Sequence, residues 1–147
     1  MKYQQRICYD RAMKECLFCR IVAREIPGEI VHESNEWIGL VDIKPVNLGH
    51  TLLIPKAHHE TLFDLPKELL ATLGSELGIL ARNVQRATSA DGINIGMNNY
   101  AAAGQLVRHA HIHIIPRFEN DGHRHWHGKR PYSKEELAEI ATKIRNI

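Results

Sequence analysis

Gly104-Gln105-Leu106-Val107-Arg108-His109-Ala110-His111-Ile112-His113-Ile114-Ile115-Pro116-Arg117 sets three histidines at alternate positions inside an apolar run. Successive side chains on a strand point to opposite faces, so this alternation predicts a strand. One face carries Val107, His109, His111, His113 and Ile115; the other carries Leu106, Ala110, Ile112 and Ile114, which can pack on a core. A lone histidine on a strand usually has a structural role. Three in register, spaced about 6.5 Å apart, fill a core poorly but suit phosphate oxygens or a metal ion. Imidazole titrates near neutrality, so it can serve as nucleophile, donor or ligand there.

Working outward, Leu17, Phe18, Ile21 and Val22 are spaced for a short helical face, which Pro27-Gly28 ends. Ile30–Glu33, Trp37–Val41 and His50–Pro55 read as strands, with a loop at Lys44–Leu48. Asp64 and Pro66 mark a helix start, and Leu65, Leu69, Leu73, Leu77, Leu80 and Val84 form one apolar stripe. Gly74 and Gly78 inside that helix each cost about 1 kcal/mol relative to Ala, which predicts a close approach of another backbone. Asp91-Gly92 is a turn, and Ile93, Ile95 and Met97 alternate as a fourth strand before the histidine strand. Ser133-x-x-Glu136 resembles a capping box ahead of a helix with Leu137, Ile140, Ala141 and Ile144 on one face. The division is an N-terminal extension (1–15), a main domain (16–117), and a polar tail loop with a C-terminal helix (118–147). Adjacent strands with short links predict an α+β domain on an antiparallel sheet, not a βαβ nucleotide fold.

The chain has 147 residues, 44% of them hydrophobic, enough for one domain with a sizeable core. It has no transmembrane run, and residues 1–15 lack the apolar centre of a signal peptide, so a cytoplasmic protein is expected. A formal net charge of +2 gives no argument for nucleic acid or membrane as partner. Three cysteines make no disulfide framework; Cys16-x-x-Cys19 favours metal or redox chemistry, and Cys8 reads as an incidental thiol. A second alternating set, His123-Arg124-His125-Trp126-His127, has no apolar reverse face and reads as a solvated loop, with an extra phosphate or metal contact as the alternative.

The segment Gly104–His113, written G-Q-x-V-x-H-x-H-x-H, resembles the histidine-triad (HIT) family of nucleotide hydrolases and transferases. The resemblance extends to Cys16–Ile21, Asp42-Ile43-x-Pro45, Gly49-His50-Thr51, Pro55-Lys56-x-His58 and Asn98, and is nearest the microbial HINT-like branch. It implies a five-stranded antiparallel sheet, with a long helix and a C-terminal helix, whose sheets pair across a homodimer. It implies attack on the α-phosphorus of a nucleoside monophosphate derivative, of phosphoramidate or related type, within the triad His109, His111 and His113. His111 would form a nucleotidyl-histidine intermediate, its tautomer fixed by a carbonyl. Donors to phosphate would be His113, Gln105, Asn98 and amides near Gly104. Asp42 would hold the ribose, Phe18, Ile21 and Ile43 the purine, and His50 would support the triad. Some microbial members bind zinc through positions matching Cys16, Cys19, His58 and His109; such a site is structural, and no catalytic cofactor is implied. His59 is the competing neighbour of His58. Nucleotide-binding members place a tail tryptophan near the partner subunit's site, as Trp126 would be. Phosphoramidate-cleaving members often have Ser where this chain has Leu106. A dinucleoside polyphosphate hydrolase and a nucleotide-binding regulatory module with vestigial activity are the alternatives.

Overall fold

The structure, a computed structural model, describes residues 15–123 and 131–147. Cys8, nearly all of the expected N-terminal extension, and His125, Trp126 and His127 of the tail lie outside the described residues.

A short helix, α1 (Leu17–Val22), leads into β1 (Ile30–Glu33), β2 (Trp37–Val41) and β3 (Thr51–Pro55). A single 3₁₀ turn at Leu62–Asp64 precedes the long helix α2 (Lys67–Thr88). Then come β4 (Gly92–Gly96), a 3₁₀ turn at Ala101–Ala103, β5 (Ile112–Arg117) and the C-terminal helix α3 (Lys134–Arg145). All pairings are antiparallel in one five-stranded sheet of order β1-β2-β3-β5-β4. The α+β class and the apolar stripe of α2 are as the sequence predicts.

Period-two alternation divides the core between the two faces of the sheet. Trp37, Leu53, Ile112 and Ile114 pack with Leu65, Leu69, Leu80 and Val84 on the α2 side. Ile38, Leu40, Leu52 and Ile54 pack with Phe18, Ile21, Cys16 and Cys19 on the α1 side. Each fully buried aliphatic side chain contributes about 1.5–3 kcal/mol. Gly39 lets α2 lie close: a Cβ there would sit 2.8 Å from a Leu80 methyl and 2.8 Å from the Cβ of His32.

Two expectations need correcting, and two features have no neighbour within the described residues. The histidine strand begins at Ile112, not at residue 106, so His109, Ala110 and His111 precede the ladder. The cause is visible at Ala110, whose N–H donates to the His59 carbonyl at 2.6 Å, drawing the chain towards the loop after β3. Leu106 does not pack on the core; it is 93% exposed. Nothing within the chain approaches Gly74 or Gly78 within 4 Å of an added Cβ. Finally, α3 begins with the expected capping box, but its apolar residues Leu137, Ile140 and Ile144 are exposed.

Candidate active site and candidate metal centre

Residues 109–113 run from a buried bend into β5, with the three imidazoles on the α1 side of the sheet. His109 is fully buried, His111 nearly so, and His113 half-buried. The Phe18 ring meets His109 and His111 edge-on, with centroids 5.9 and 5.2 Å away.

Hydrogen-bond partners assign the imidazole tautomers. His111 Nδ1–H donates to the His109 carbonyl at 2.6 Å, which leaves the Nε2 lone pair unprotonated. The Val46 N–H donates to His50 Nδ1 at 3.3 Å, so His50 Nε2–H is the donor to His113 Nδ1 at 2.9 Å. His113 therefore presents Nε2–H as a donor. Burial, reinforced by His111 and His50, holds the His113 pKa down at about 4, so this donor is neutral at pH 7. Burial also lowers the His50 pKa, with Asp42 opposing the shift.

A cavity of about 550 Å³ opens beside these rings. Phe18, Ile21, Leu40 and Ile43 form its apolar side, while Asp42, Asn98, Gly104, His111 and His113 line its polar side. Ile43 is 87% exposed and caps the mouth, whereas Phe18 and Ile21 belong to the core as well as to the cavity. Gly104 adopts φ +89°, a left-handed conformation suited to glycine, 3.6 Å from Asn98 Nδ2 when a Cβ is built.

Gln105 is placed differently from the other expected phosphate donors. Its Nε2 donates to the Glu60 carbonyl at 2.6 Å and its Oε1 accepts from the Tyr100 N–H at 2.7 Å. With both ends of the amide engaged, Gln105 braces the 100–104 loop. Tyr100 itself sits at φ +69° and ψ 163°, a conformation that costs a non-glycine residue about 1–3 kcal/mol. Neither this backbone conformation nor the Pro55 carbonyl described next has a signature in the local sequence.

Cys16, Cys19, His58 and His109 bring their ligand atoms within 4.8 Å of one another. His109 Nε2–H donates to the Pro55 carbonyl at 2.9 Å, which leaves Nδ1 as the lone pair facing both sulfurs. That Nδ1 lies 3.4 Å from Cys16 Sγ and 3.5 Å from Cys19 Sγ, and His58 Nδ1 lies 3.2 Å from Cys19 Sγ. A tetrahedral zinc ion with bonds of about 2.3 Å to sulfur and 2.0–2.1 Å to nitrogen has S···N edges of about 3.6 Å, so the cluster fits with small outward shifts. Burial, with the Cys16 thiol alongside, pushes the Cys19 thiol up to about 12, so a cation is needed to hold Cys19 as a thiolate near neutral pH. His58 and His109 are both biased towards the neutral, ligating form by burial, His109 to a pKa of about 4.

Comparison with known proteins agrees with this fold. A sequence model of the HIT domain matches residues 23–120. The adenylylsulfatase HINT3 of Arabidopsis thaliana is 39% identical over 107 residues, covering 73% of this chain and 54% of the plant protein. The chain thus spans about half the length of that relative. The adenosine 5'-monophosphoramidase HNT1 of Saccharomyces cerevisiae is 36% identical, covering 69% of this chain and 62% of the yeast protein. Among solved structures, SMU.412c from Streptococcus mutans superposes with a TM-score of 0.84 at 38% identity, covering 90% of this chain and 84% of the other. A Zn-bound histidine triad family protein from Mycobacterium smegmatis gives a TM-score of 0.69 at 33% identity, covering 89% and 99%. With the triad, the five-stranded sheet and the matched domain in agreement, the chain belongs to the HIT family.

Proposed function

We propose that this protein hydrolyses nucleoside monophosphate derivatives at the α-phosphorus, with His111 as nucleophile. The observation that carries the reading is the His111 tautomer: a 2.6 Å bond from Nδ1–H to the His109 carbonyl aims an unprotonated Nε2 into the cavity that Asp42 and Phe18 line. Relatives named as an adenylylsulfatase and an adenosine 5'-monophosphoramidase support the substrate class.

In this reading the base enters among Phe18, Ile21 and Ile43, and the ribose hydroxyls donate to Asp42. His111 Nε2 attacks phosphorus, a P–N bond forms, and the bond to the leaving atom breaks with its electron pair. Water then attacks the adduct, releasing the nucleoside monophosphate and restoring His111. Splitting the displacement in this way lowers each barrier. His113 Nε2–H, Asn98 and the amides near Gly104 stabilise charge on the nonbridging oxygens, and such aimed donors are often the largest catalytic contribution. Gln105 acts indirectly, by holding the loop.

A zinc ion held by Cys16, Cys19, His58 and His109 would be structural. All four coordination positions come from the protein, and the ion would tie α1 to the first triad histidine. The protein would also be a homodimer. The outer edge of β4 is unpaired among the described residues, and the open stretch at Gly74 and Gly78 on α2 is flanked by partly exposed Leu70 and Ile79. No helix among the described residues is long and apolar enough to cross a membrane.

The test compares wild type and His111→Ala on adenosine phosphoramidate and on diadenosine tetraphosphate, alongside calorimetric binding of AMP. Wild type should turn over at least one substrate, and the variant should lose at least about a thousandfold in kcat while still binding AMP. Retention of more than about a tenth of wild-type kcat would remove His111 from the nucleophile role. Tight AMP binding with no turnover of either substrate would favour the regulatory-module reading.

A further inference from the structure

The loop that brings Asn98 and Gly104 to the cavity is strapped from outside to the segment that precedes α2. We propose that Tyr100 and Phe63 are positioning residues, whose ring contact holds this loop in the shape that meets the phosphate of a bound nucleotide; this rests on the nucleotide hydrolysis proposed above and deepens it.

Tyr100 carries the strain. Its φ of +69° and ψ of 163° lie in a backbone region that suits glycine, and other residues occupy it only where their surroundings compel it. The conformation turns the chain sharply. The Tyr100 carbonyl accepts from the N–H groups of Ala103 and Gln105, at 3.1 and 3.2 Å, and the Tyr100 N–H donates to Gln105 Oε1. The turn closed in this way spans Ala101–Gly104, every residue of it exposed, so burial in the core does not hold it. Asn98 lies just before the turn and Gly104 ends it, and both line the cavity. The backbone angles at Tyr100 therefore set where these two phosphate contacts stand relative to each other.

Residues 60–63 supply the compulsion. The Leu62 N–H donates to Asn99 Oδ1 at 2.8 Å, and the Gln105 amide reaches the Glu60 carbonyl. The Phe63 ring lies nearly parallel to that of Tyr100, with centroids 6.0 Å apart and planes at 18°. The segment is a firm anchor: Thr61 is fully buried, and its N–H and hydroxyl both donate to the Asp64 carboxylate. The two hydrogen bonds act on the neighbours of Tyr100 in the loop, whereas the ring pair acts on the strained residue itself. Stacked rings attract beyond the area they bury. Here both are more than half exposed, so the pair adds little to the core. A local rule broken at the edge of a site, with a dedicated contact to hold it, points to a role in that site.

The test reads the share of binding that comes from the phosphate. Adenosine reports the nucleoside slot; AMP reports the slot and the loop together. Wild type should bind AMP at least about tenfold more tightly than adenosine in calorimetry. Tyr100→Gly and Phe63→Ala should each erase at least about threefold of that preference, with adenosine affinity within about twofold. Tyr100→Phe keeps the ring and should keep the preference. Glycine relieves the backbone strain, so Tyr100→Gly should unfold at a higher temperature than Tyr100→Ala, which loses the ring and keeps the strain. A merely structural role would weaken AMP and adenosine alike. That pattern, or a full AMP preference in Tyr100→Gly, overturns the proposal. So does an effect of Phe63→Ala that appears only with a change in sedimentation, which would assign the rings to a contact between copies.

These measurements need no turnover. If wild type hydrolyses no substrate, the loss of AMP preference still carries the strap and only the hydrolytic reading fails. Equal affinity for AMP and adenosine in wild type overturns the strap even if hydrolysis is efficient.

Discussion

His113 shows how much of this site is made by neighbours. An imidazole in the unfolded chain has its ordinary pKa of 6.5, whereas burial beside His111 and His50 holds the folded group at about 4, with Asp42 only partly opposing. Between those values the unfolded chain binds the extra proton, so His113 contributes stability above pH 6.5 that is lost as pH falls towards 4. Urea unfolding at pH 7 and pH 5 should show a smaller acid-side loss in His113→Gln than in wild type. An equal or larger loss in the variant would contradict this account; protonation of the metal ligands is common to both proteins. The histidines themselves were legible in the sequence because their spacing is local. The tautomers of His109 and His113 were not, because these depend on partners far along the chain: Pro55 for His109, and the His50–Val46 relay for His113; that of His111, held by a carbonyl two residues away, was an expectation of the resemblance. Gln105 follows the same logic in reverse. It sits at the motif position for a phosphate donor, yet Glu60, 45 residues away, takes its amide.

At the scale of elements, the alternation that predicts the triad strand also sorts Ala110, Ile112 and Ile114 to the α2 side, since period two decides which side of the sheet a residue faces, but it places Leu106 there too, and Leu106 is exposed. It overextended the triad strand because a bond from Ala110 to the His59 carbonyl, invisible to periodicity, diverts the chain before the ladder begins. Gly39 is a test of α2 packing. Gly39→Ala forces a methyl against Leu80 and should lower unfolding free energy by about 1–3 kcal/mol, measured by urea denaturation. An unchanged midpoint and slope would mean that α2 does not lie against β2 as described. A zinc ion held by Cys16, Cys19, His58 and His109 would tie α1 to the bend at His109. Metal analysis of protein made without a histidine tag should give one zinc per chain, lost in a Cys16→Ser/Cys19→Ser variant. That variant should unfold at lower temperature, while its remaining folded fraction retains most of its chemistry. Zinc retained by the double variant would refute the assignment. A His123/His125/His127 triple variant controls for binding by the tail.

Over the whole molecule, fold class and strand count followed from the sequence because one domain this size has few ways to bury two apolar sheet faces. What covers the outer surfaces was less legible. The paired glycines of α2 predict a close neighbour, and none lies within the chain; the apolar face of α3 is likewise uncovered among the described residues. A two-fold partner accounts for the glycines and for the open β4 edge together. Sedimentation at micromolar concentration should therefore report about twice the 16.8 kDa chain mass. A clean monomer would leave both features unexplained and end any cross-subunit role for Trp126. The central claim, however, is chemical: one nitrogen, His111 Nε2, takes the nucleotide. Mixing enzyme with adenylyl sulfate or adenosine phosphoramidate, quenching within a turnover and weighing the intact chain tests it directly. The account predicts a mass increase of one adenylyl group, mapped by peptide fragmentation to His111 and absent from His111→Asn. An adduct on another residue, or undiminished single-turnover hydrolysis in His111→Asn, would contradict it.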